Sequence, residues 1–327
     1  MKKFVIIISL IVLVCSLTAC GVNIGFDSSV TYANADKYSI GNTEIKDKVE
    51  KLEIEWINGS VDVVTSEGDA VSIVEEAAEE LSDDMRVHWW LEGTTLHIKY
   101  SAANVGFHFS ITEWKKYSKA LTVSLPSSFD LSDVSVGTAS ADVTVSDINA
   151  DNIDVDTASG KVDVTGEAEK INIDTASGNI MLNSSGDASN IDVGSASGNV
   201  NLTVSNVEKA KIDTASGSVT CVFKKTPEKC DIDTASGEVY ITLPEDAAFT
   251  LNFDTASGAF KSDFAYKMSG REYICGSGSA EFNIDTASGD ITISIQPPAI
   301  LRYQWEIVNL MCQRGTIPFD NHEMKHL

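Results

Sequence analysis

The stretch Ile153-Asp154-Val155-Asp156-Thr157-Ala158-Ser159-Gly160-Lys161-Val162-Asp163-Val164 decides the fold, because the chain writes it again and again. Asp-Thr-Ala-Ser-Gly begins at Asp156, Asp174, Asp213, Asp233, Asp254 and Asp285, with the variants Gly137-Thr138-Ala139-Ser140-Ala141 and Gly194-Ser195-Ala196-Ser197-Gly198. From Gly137 onward the spacings are 19, 18, 20, 19, 20, 21 and 31 residues. A fixed period of this length is the mark of a stacked repeat. Apolar residues flank each motif with period two, as in Ile171 and Ile173 before, Ile180 and Leu182 after. Each motif therefore joins two short strands.

Parity supplies the next step. The apolar positions lie one and three residues before the Asp but six and eight after it, so an unbroken strand would turn one set outward. The chain must bend within Thr-Ala-Ser-Gly, where Gly admits positive φ and Ser or Asp bonds to nearby backbone. Near-identical bends at near-constant spacing predict an all-β, parallel β-solenoid, right-handed and β-helix-like, with about 19–20 residues per coil, like residues stacking about 4.8 Å apart. An antiparallel sandwich would need no such identity.

Working outward, Leu52, Ile54, Gly59, Val61 and Val63 align with Ile153, Val155, Gly160, Val162 and Val164 as a degenerate first coil. Residues 65–130 interrupt the coils with an acidic run from Glu75 to Asp84, read as helical, and a hairpin from Met85 to Tyr100 about Gly93. The domain plan is a signal peptide at 1–19, a polar tether at 20–50, an N-terminal β region at 51–130 with the first coil and an aromatic insertion, the array at 131–296, and an atypical tail or cap at 297–327.

Lys2, Lys3 and the apolar run Phe4 to Val14 read as a secretory signal, too short to span a bilayer. Leu17-Thr18-Ala19-Cys20 resembles a bacterial lipobox, which implies cleavage before Cys20 and lipidation of its sulfur. The expected location is the outer face of the bacterial cell membrane, with the membrane as partner through the lipid. The 327 residues carry 24 Lys+Arg against 48 Asp+Glu, and 43% are hydrophobic. That apolar fraction excludes a disordered chain. The net charge of −24 repels phosphate backbones, so no nucleic-acid partner is expected.

The lipobox, the Leu52–Val63 segment, the strand Leu121-Thr-Val-Ser-Leu-Pro126 and the repeat array together resemble a bacterial family of exported β-strand-repeat proteins of unknown function, often labelled "putative adhesin". The resemblance implies a parallel β-solenoid at the cell surface, at times near envelope-stress signalling genes. It implies no catalytic residues. The chain departs from the family after Pro297-Pro298, where Leu301, Trp305, Val308 and Cys312 fall at helical spacing, suited to capping the open end.

Stacked carboxylates at about 4.8 Å repel by roughly 0.9 kcal/mol per pair in water. A side-chain bond to nearby backbone returns about 0.5–1.5 kcal/mol. The ladder is thus tolerable without metal, and Asp156, Asp174, Asp213, Asp233 and Asp254 are weak cation candidates; no cofactor is expected. No His lies between Ser110 and Asn321, and Arg271 is the lone Arg of that stretch outside the tail, so no base or triad assembles from the array. Cys221 and Cys230 occupy inward positions of successive strands and are a candidate disulfide, with small core residues as the competing reading. His88, His97 and His108 would have to converge to bind zinc. The long spacing after Asp254 inserts Phe264, Tyr266, Arg271 and Tyr273, an aromatic and basic loop on an acidic body; with Trp89 and Trp90 it forms the candidate contact surface.

The expectation is a non-enzymatic, adhesive or structural surface module that binds cell-wall polymer, glycan or an envelope protein. An accessory sensor or regulator of an envelope-stress pathway is the alternative. A calcium-binding or polysaccharide-active β-helix is the third.

Overall fold

A computed structural model describes residues 27–29, 31–108 and 118–297. The signal segment, Cys20, Trp114, the tail from 298 and its Cys312 lie outside the described residues. Twenty strands join in one open sheet, and the long strands pair in parallel with partners 18 to 20 residues away, as in Val143 with Val162, Val162 with Ile180 and Ile180 with Val200. The chain is an all-β stack of coils. The period-two residues point inward as the pattern requires: Ile171, Ile173, Ile180 and Leu182 are at most 1% exposed. At about 1.5–3 kcal/mol for each such side chain, one coil's burial exceeds the repulsion between neighbouring corner carboxylates several-fold.

The bend falls where parity demands it. Within the motifs the Asp faces outward, the Thr is buried (Thr157, Thr175, Thr214, Thr234, Thr286) except on the outermost coil, where Thr255 is half-buried, and the Gly turns the chain. Gly160, Gly198, Gly217 and Gly289 have φ of 135°, 155°, 152° and 156°. A Cβ on Gly217 would lie 2.0 Å from the Gly198 carbonyl oxygen. The residue after the Gly ties the coils together: Asn179 Oδ1 accepts from Asn199 N–H and Asn199 Oδ1 from Ser218 N–H, each at 3.0 Å.

The degenerate first coil is present. Lys51–Ser66 pairs with the start of Leu131–Ser159 with Leu52 on Val134, Ile54 on Val136, Gly59 on Ala141 and Val61 on Val143. Trp56 stands where later coils place the buried Thr, opposite Thr138. Met85–Tyr100 contains the expected hairpin, His88–Glu92 against Thr95–Lys99.

Three expectations are corrected. The acidic run is not helical: Val71–Ala77 is a strand, followed by a short 3-10 turn at Asp83–Met85. Val71 and Ile73 are buried, so period two prevails there over the helix propensity of the glutamates. The tether ends earlier than residue 50, because Ser39–Ile40 pairs with His88–Glu92, Thr43–Ile45 pairs with Val71–Ala77, and Val49 is fully buried. Finally, the coils do not stack in simple sequence order.

At the C-terminal end, Ala280–Ser288 is inserted between Lys229–Ser236 and Phe249–Ser257, so Asp285 lies on Asp233 and Asp254 lies on Asp285. The 31-residue spacing supplies the excursion: the chain makes the outermost coil first, turns back through the hairpin Tyr266–Ser269 with Glu272–Cys275, and returns beneath it. Glu272–Cys275 pairs antiparallel with the outer edge of Phe249–Ser257 over Phe249–Leu251. The N-terminal end repeats the device. Lys51–Ser66 lies between Leu131–Ser159 and the later strands Thr95–Lys99 and Lys119–Pro126.

Gly217→Ala should destabilise the protein by about 2–4 kcal/mol in a denaturant titration, through strain at positive φ and the backbone clash. Gly93→Ala, where a Cβ meets nothing within 4 Å, should cost clearly less.

Candidate functional site

The outward Asp and Ala of successive motifs line a shallow, open groove of about 870 Å³ that runs along the corners from Asp174 through Gly194, Asp213, Asp233 and Asp285 to Asp254. The register fixes this order: Asp156 on Asp174, Asp174 on Gly194, Gly194 on Asp213, Asp213 on Asp233. Gly194 thus breaks the carboxylate column. A Cβ there would lie 2.1 Å from Asp174 Oδ1, so the side chain of Asp174 occupies the space that Gly194 leaves. Lys211, beside the middle of the column, pairs with Asp213 and reaches Asp192 at 3.9 Å.

Burial acts on these acids more than mutual repulsion does. Desolvation, then Asp154, then Asp174 push the Asp156 carboxyl up to about 6. Asp174 is raised by desolvation and Asp192, Asp233 by desolvation and Asp213. Beneath them the buried hydroxyls form a parallel column. Thr138 donates to Thr157 at 2.8 Å and Thr157 to the Ser159 carbonyl at 2.9 Å, while the hydroxyls of Ser195, Thr214, Thr234 and Thr286 have no hydrogen-bond partner among the described residues. Among the described residues no three His, Cys, Asp or Glu side chains converge as a metal set.

The expected contact residues separate. Trp89 and Trp90 face opposite ways from their strand. Trp89 packs against the core, whereas Trp90 stacks on His97 at 5.4 Å, meets Tyr38 at 5.8 Å and carries the Lys37 ammonium 4.8 Å from its centroid. His97 is held by Glu53 at 2.9 Å, and His88 is buried with Nδ1 2.9 Å from the Arg86 carbonyl, so these two do not converge. Phe264 is no surface residue: it is 8% exposed and packs edge-on against Phe249 at 5.5 Å, filling the end of the core. Tyr266, Arg271 and Tyr273 do sit together on the hairpin at the C-terminal end. Cys221 and Cys230 are separate, fully buried thiols; burial pushes Cys221 up to about 12 and Cys230 well above its ordinary value.

One constellation was missed. Lys119 and Glu75, 1% and 4% exposed, form an ion pair at 2.6 Å inside the N-terminal end. The ammonium also donates to the Met85 carbonyl at 2.7 Å and to that of Tyr100, and lies 3.8 Å and 4.8 Å from the Tyr100 and Trp56 ring centroids. Glu75 accepts the Val87 N–H at 3.0 Å. Desolvation lowers the Lys119 pKa to about 8 and Glu75 opposes it, so the ammonium stays charged at neutral pH. Held by two carbonyls and the Glu75 carboxylate in the interior, this ammonium fixes strands. Its one sequence signal was a Lys beginning the alternating strand Lys119–Pro126.

A family profile matches residues 49–294, three quarters of the chain. The chain belongs to the Toastrack DUF4097 family. That is a family of unknown function, in keeping with the resemblance read from the motifs. Similar solved structures include a "putative adhesin" from Bacteroides fragilis, 16% identical with a TM-score of 0.45 over 79% of this chain and 97% of that one. A "putative adhesin" from Parabacteroides distasonis is 12% identical, TM-score 0.44, over 78% and 97%. A "putative lipid binding protein" from the same species is 16% identical, TM-score 0.39, over 78% and 96%. At these scores they add nothing to the reading of function. No curated protein matches the sequence.

The raised carboxyls set a pH dependence. A folded-state pKa above the unfolded value means that the native chain binds protons more tightly, so stability is reduced above about pH 6 and recovers as pH falls toward 4. The melting temperature should rise from pH 7.5 to 5.5. Asp156→Asn should raise it at pH 7.5 and flatten that slope; an unchanged slope would count against the desolvated column.

Proposed function

We propose that this protein is a non-enzymatic binding module at the bacterial cell surface, anchored to the outer face of the membrane by a lipid on Cys20, its coils wound right-handed as parallel crossovers nearly always are. The observation that carries the reading is the groove. Its lining repeats from coil to coil, Asp outward and a hydroxyl residue inward with Gly194-Ser195 as the variant, and among the described residues no metal set is placed on any one coil. A reaction centre needs one coil to differ in that way, whereas a repeating, open surface suits contact with an extended partner. Glycan or other cell-wall polymer is the partner class that fits an exported, lipid-tethered chain.

Cell walls and membranes isolated from a producing strain should co-sediment the Cys20→Ser protein saturably, while fatty-acid label enters the unsubstituted chain and not the variant. Failure to sediment with either fraction would sink the binding reading. So would hydrolase or lyase activity on wall polymer that a single Asp→Asn change in the groove abolishes.

A further inference from the structure

At its C-terminal end the groove runs into a second hollow of about 260 Å³, lined by Asn252, Phe253, Asp254, Arg271, Asn283 and Asp285. Asp254 and Asp285 border both, so the two adjoin. Phe253 is also the inner member of a ring cluster, 4.9 Å from Phe260 and 5.2 Å from Tyr273, with Tyr266 at 6.0 Å from Phe260 and 5.0 Å from Tyr273. Tyr266 and the neighbouring Met268 are 45% and 61% exposed, the most open large apolar residues of this end. Arg271 sits in the turn of the hairpin, next to Gly270 at φ 67°, and makes no ion pair among the described residues.

The donor and acceptor set selects the ligand class. Asp254 and Asp285 only accept, Arg271 only donates, and Asn252 and Asn283 do both. A cation needs acceptors alone and an anion needs donors alone. A sugar hydroxyl both donates and accepts, and a pyranose carries C–H faces between its hydroxyls that suit an aromatic wall. The asparagines are already oriented: Asn283 donates to Asp231 at 2.8 Å and Glu281 at 2.9 Å, and Asn252 donates to the Asn283 carbonyl at 3.3 Å. Their positions are therefore set by the ladder before a ligand arrives. The volume lies just under the roughly 300–1,000 Å³ of pockets for drug-sized molecules and suits one ring rather than a length of polymer.

We infer that this hollow is a subsite for one pyranose ring of a glycan, hydrogen-bonded by Arg271, Asp254 and Asp285 and stacked against Phe253, the member of the ring cluster that lines it. The inference rests on the binding-module reading and names its ligand class. The test uses the Cys20→Ser chain, titrated with triacetylchitotriose, cellotriose and maltotriose and followed by saturation-transfer NMR and tyrosine fluorescence. At least one should bind saturably with a dissociation constant of about millimolar, and Asp254→Asn and Arg271→Ala should each weaken it about fivefold or more. Both side chains are exposed, and a thermal melt confirms that each variant folds. Trp90→Ala, at the other end of the stack, should leave binding unchanged. Absence of saturable binding to all three sugars, indifference to both substitutions, or displacement of the sugar by spermine at constant ionic strength would overturn the subsite. If envelope co-sedimentation persists while all three sugars fail, this inference falls and the module reading stands; if both fail, both fall.

Discussion

The structure depends on one close approach: the backbone of a corner glycine against the backbone of the corner residue one coil away, a glycine in most coils and Ala141 beneath Gly160. A Cβ on Gly198, Gly217, Gly237 or Gly289 would lie 1.9–2.0 Å from the neighbouring glycine's carbonyl oxygen, so no other residue fits without moving a whole coil. The contact fixes register as well as shape. A slip of one residue would bring Ser or a bulkier neighbour into that space and turn the buried aliphatics outward at the same time. Asp outward, Thr inward and the two flanking strands all follow from where the glycine sits. The carboxylate column is a consequence of this stacking and is carried against its own repulsion by the aliphatic core beneath it.

A stack of parallel strands has two open ends, and exposed edges invite pairing with other chains. Here both ends are arranged alike. The terminal segments of the domain, Lys51–Ser66 and Ala280–Ser288, are inner coils with a partner on each side, and the outermost coils come from interior sequence. Antiparallel strands then cover the outer coils: Val71–Ala77 and His88–Glu92 at one end, Glu272–Cys275 at the other. Fraying from either terminus would have to break two ladders at once rather than peel an edge. The buried Lys119–Glu75 pair belongs to the same end structure, holding the insertion onto Trp56 where the corner hydroxyl column stops.

The repeat was legible because stacking in register forces like residues to recur, and the parity change at Thr-Ala-Ser-Gly located the bend without any structure. The order of the last coils was not legible. Asp254 and Asp285 carry the same motif, so nothing local distinguishes a coil added at the end from one slipped beneath it; the 31-residue spacing signalled an excursion but not its return. Phe264 was read as surface because its loop is aromatic and basic, yet only the three-dimensional end of the core shows the gap beside Phe249 that it fills. The Lys119–Glu75 pair, 44 residues apart in sequence and on different strands, had no spacing that could have announced it.

The division between repeat and exception also governs where recognition can occur. Along the middle of the groove each coil presents the same acceptor, broken once by Gly194 and offset once by Lys211, so a ligand sees a uniform field with little to define position. Directional recognition needs donors and acceptors of different kind within one ring's breadth. That condition is met at the C-terminal end, where the inverted coil order leaves Asp254 on the outermost coil beside Asp285 and the excursion that made the inversion possible delivers Arg271 beside them. The same 31 residues that close the stack thereby supply its chemical asymmetry, and a strictly sequential solenoid would have had neither.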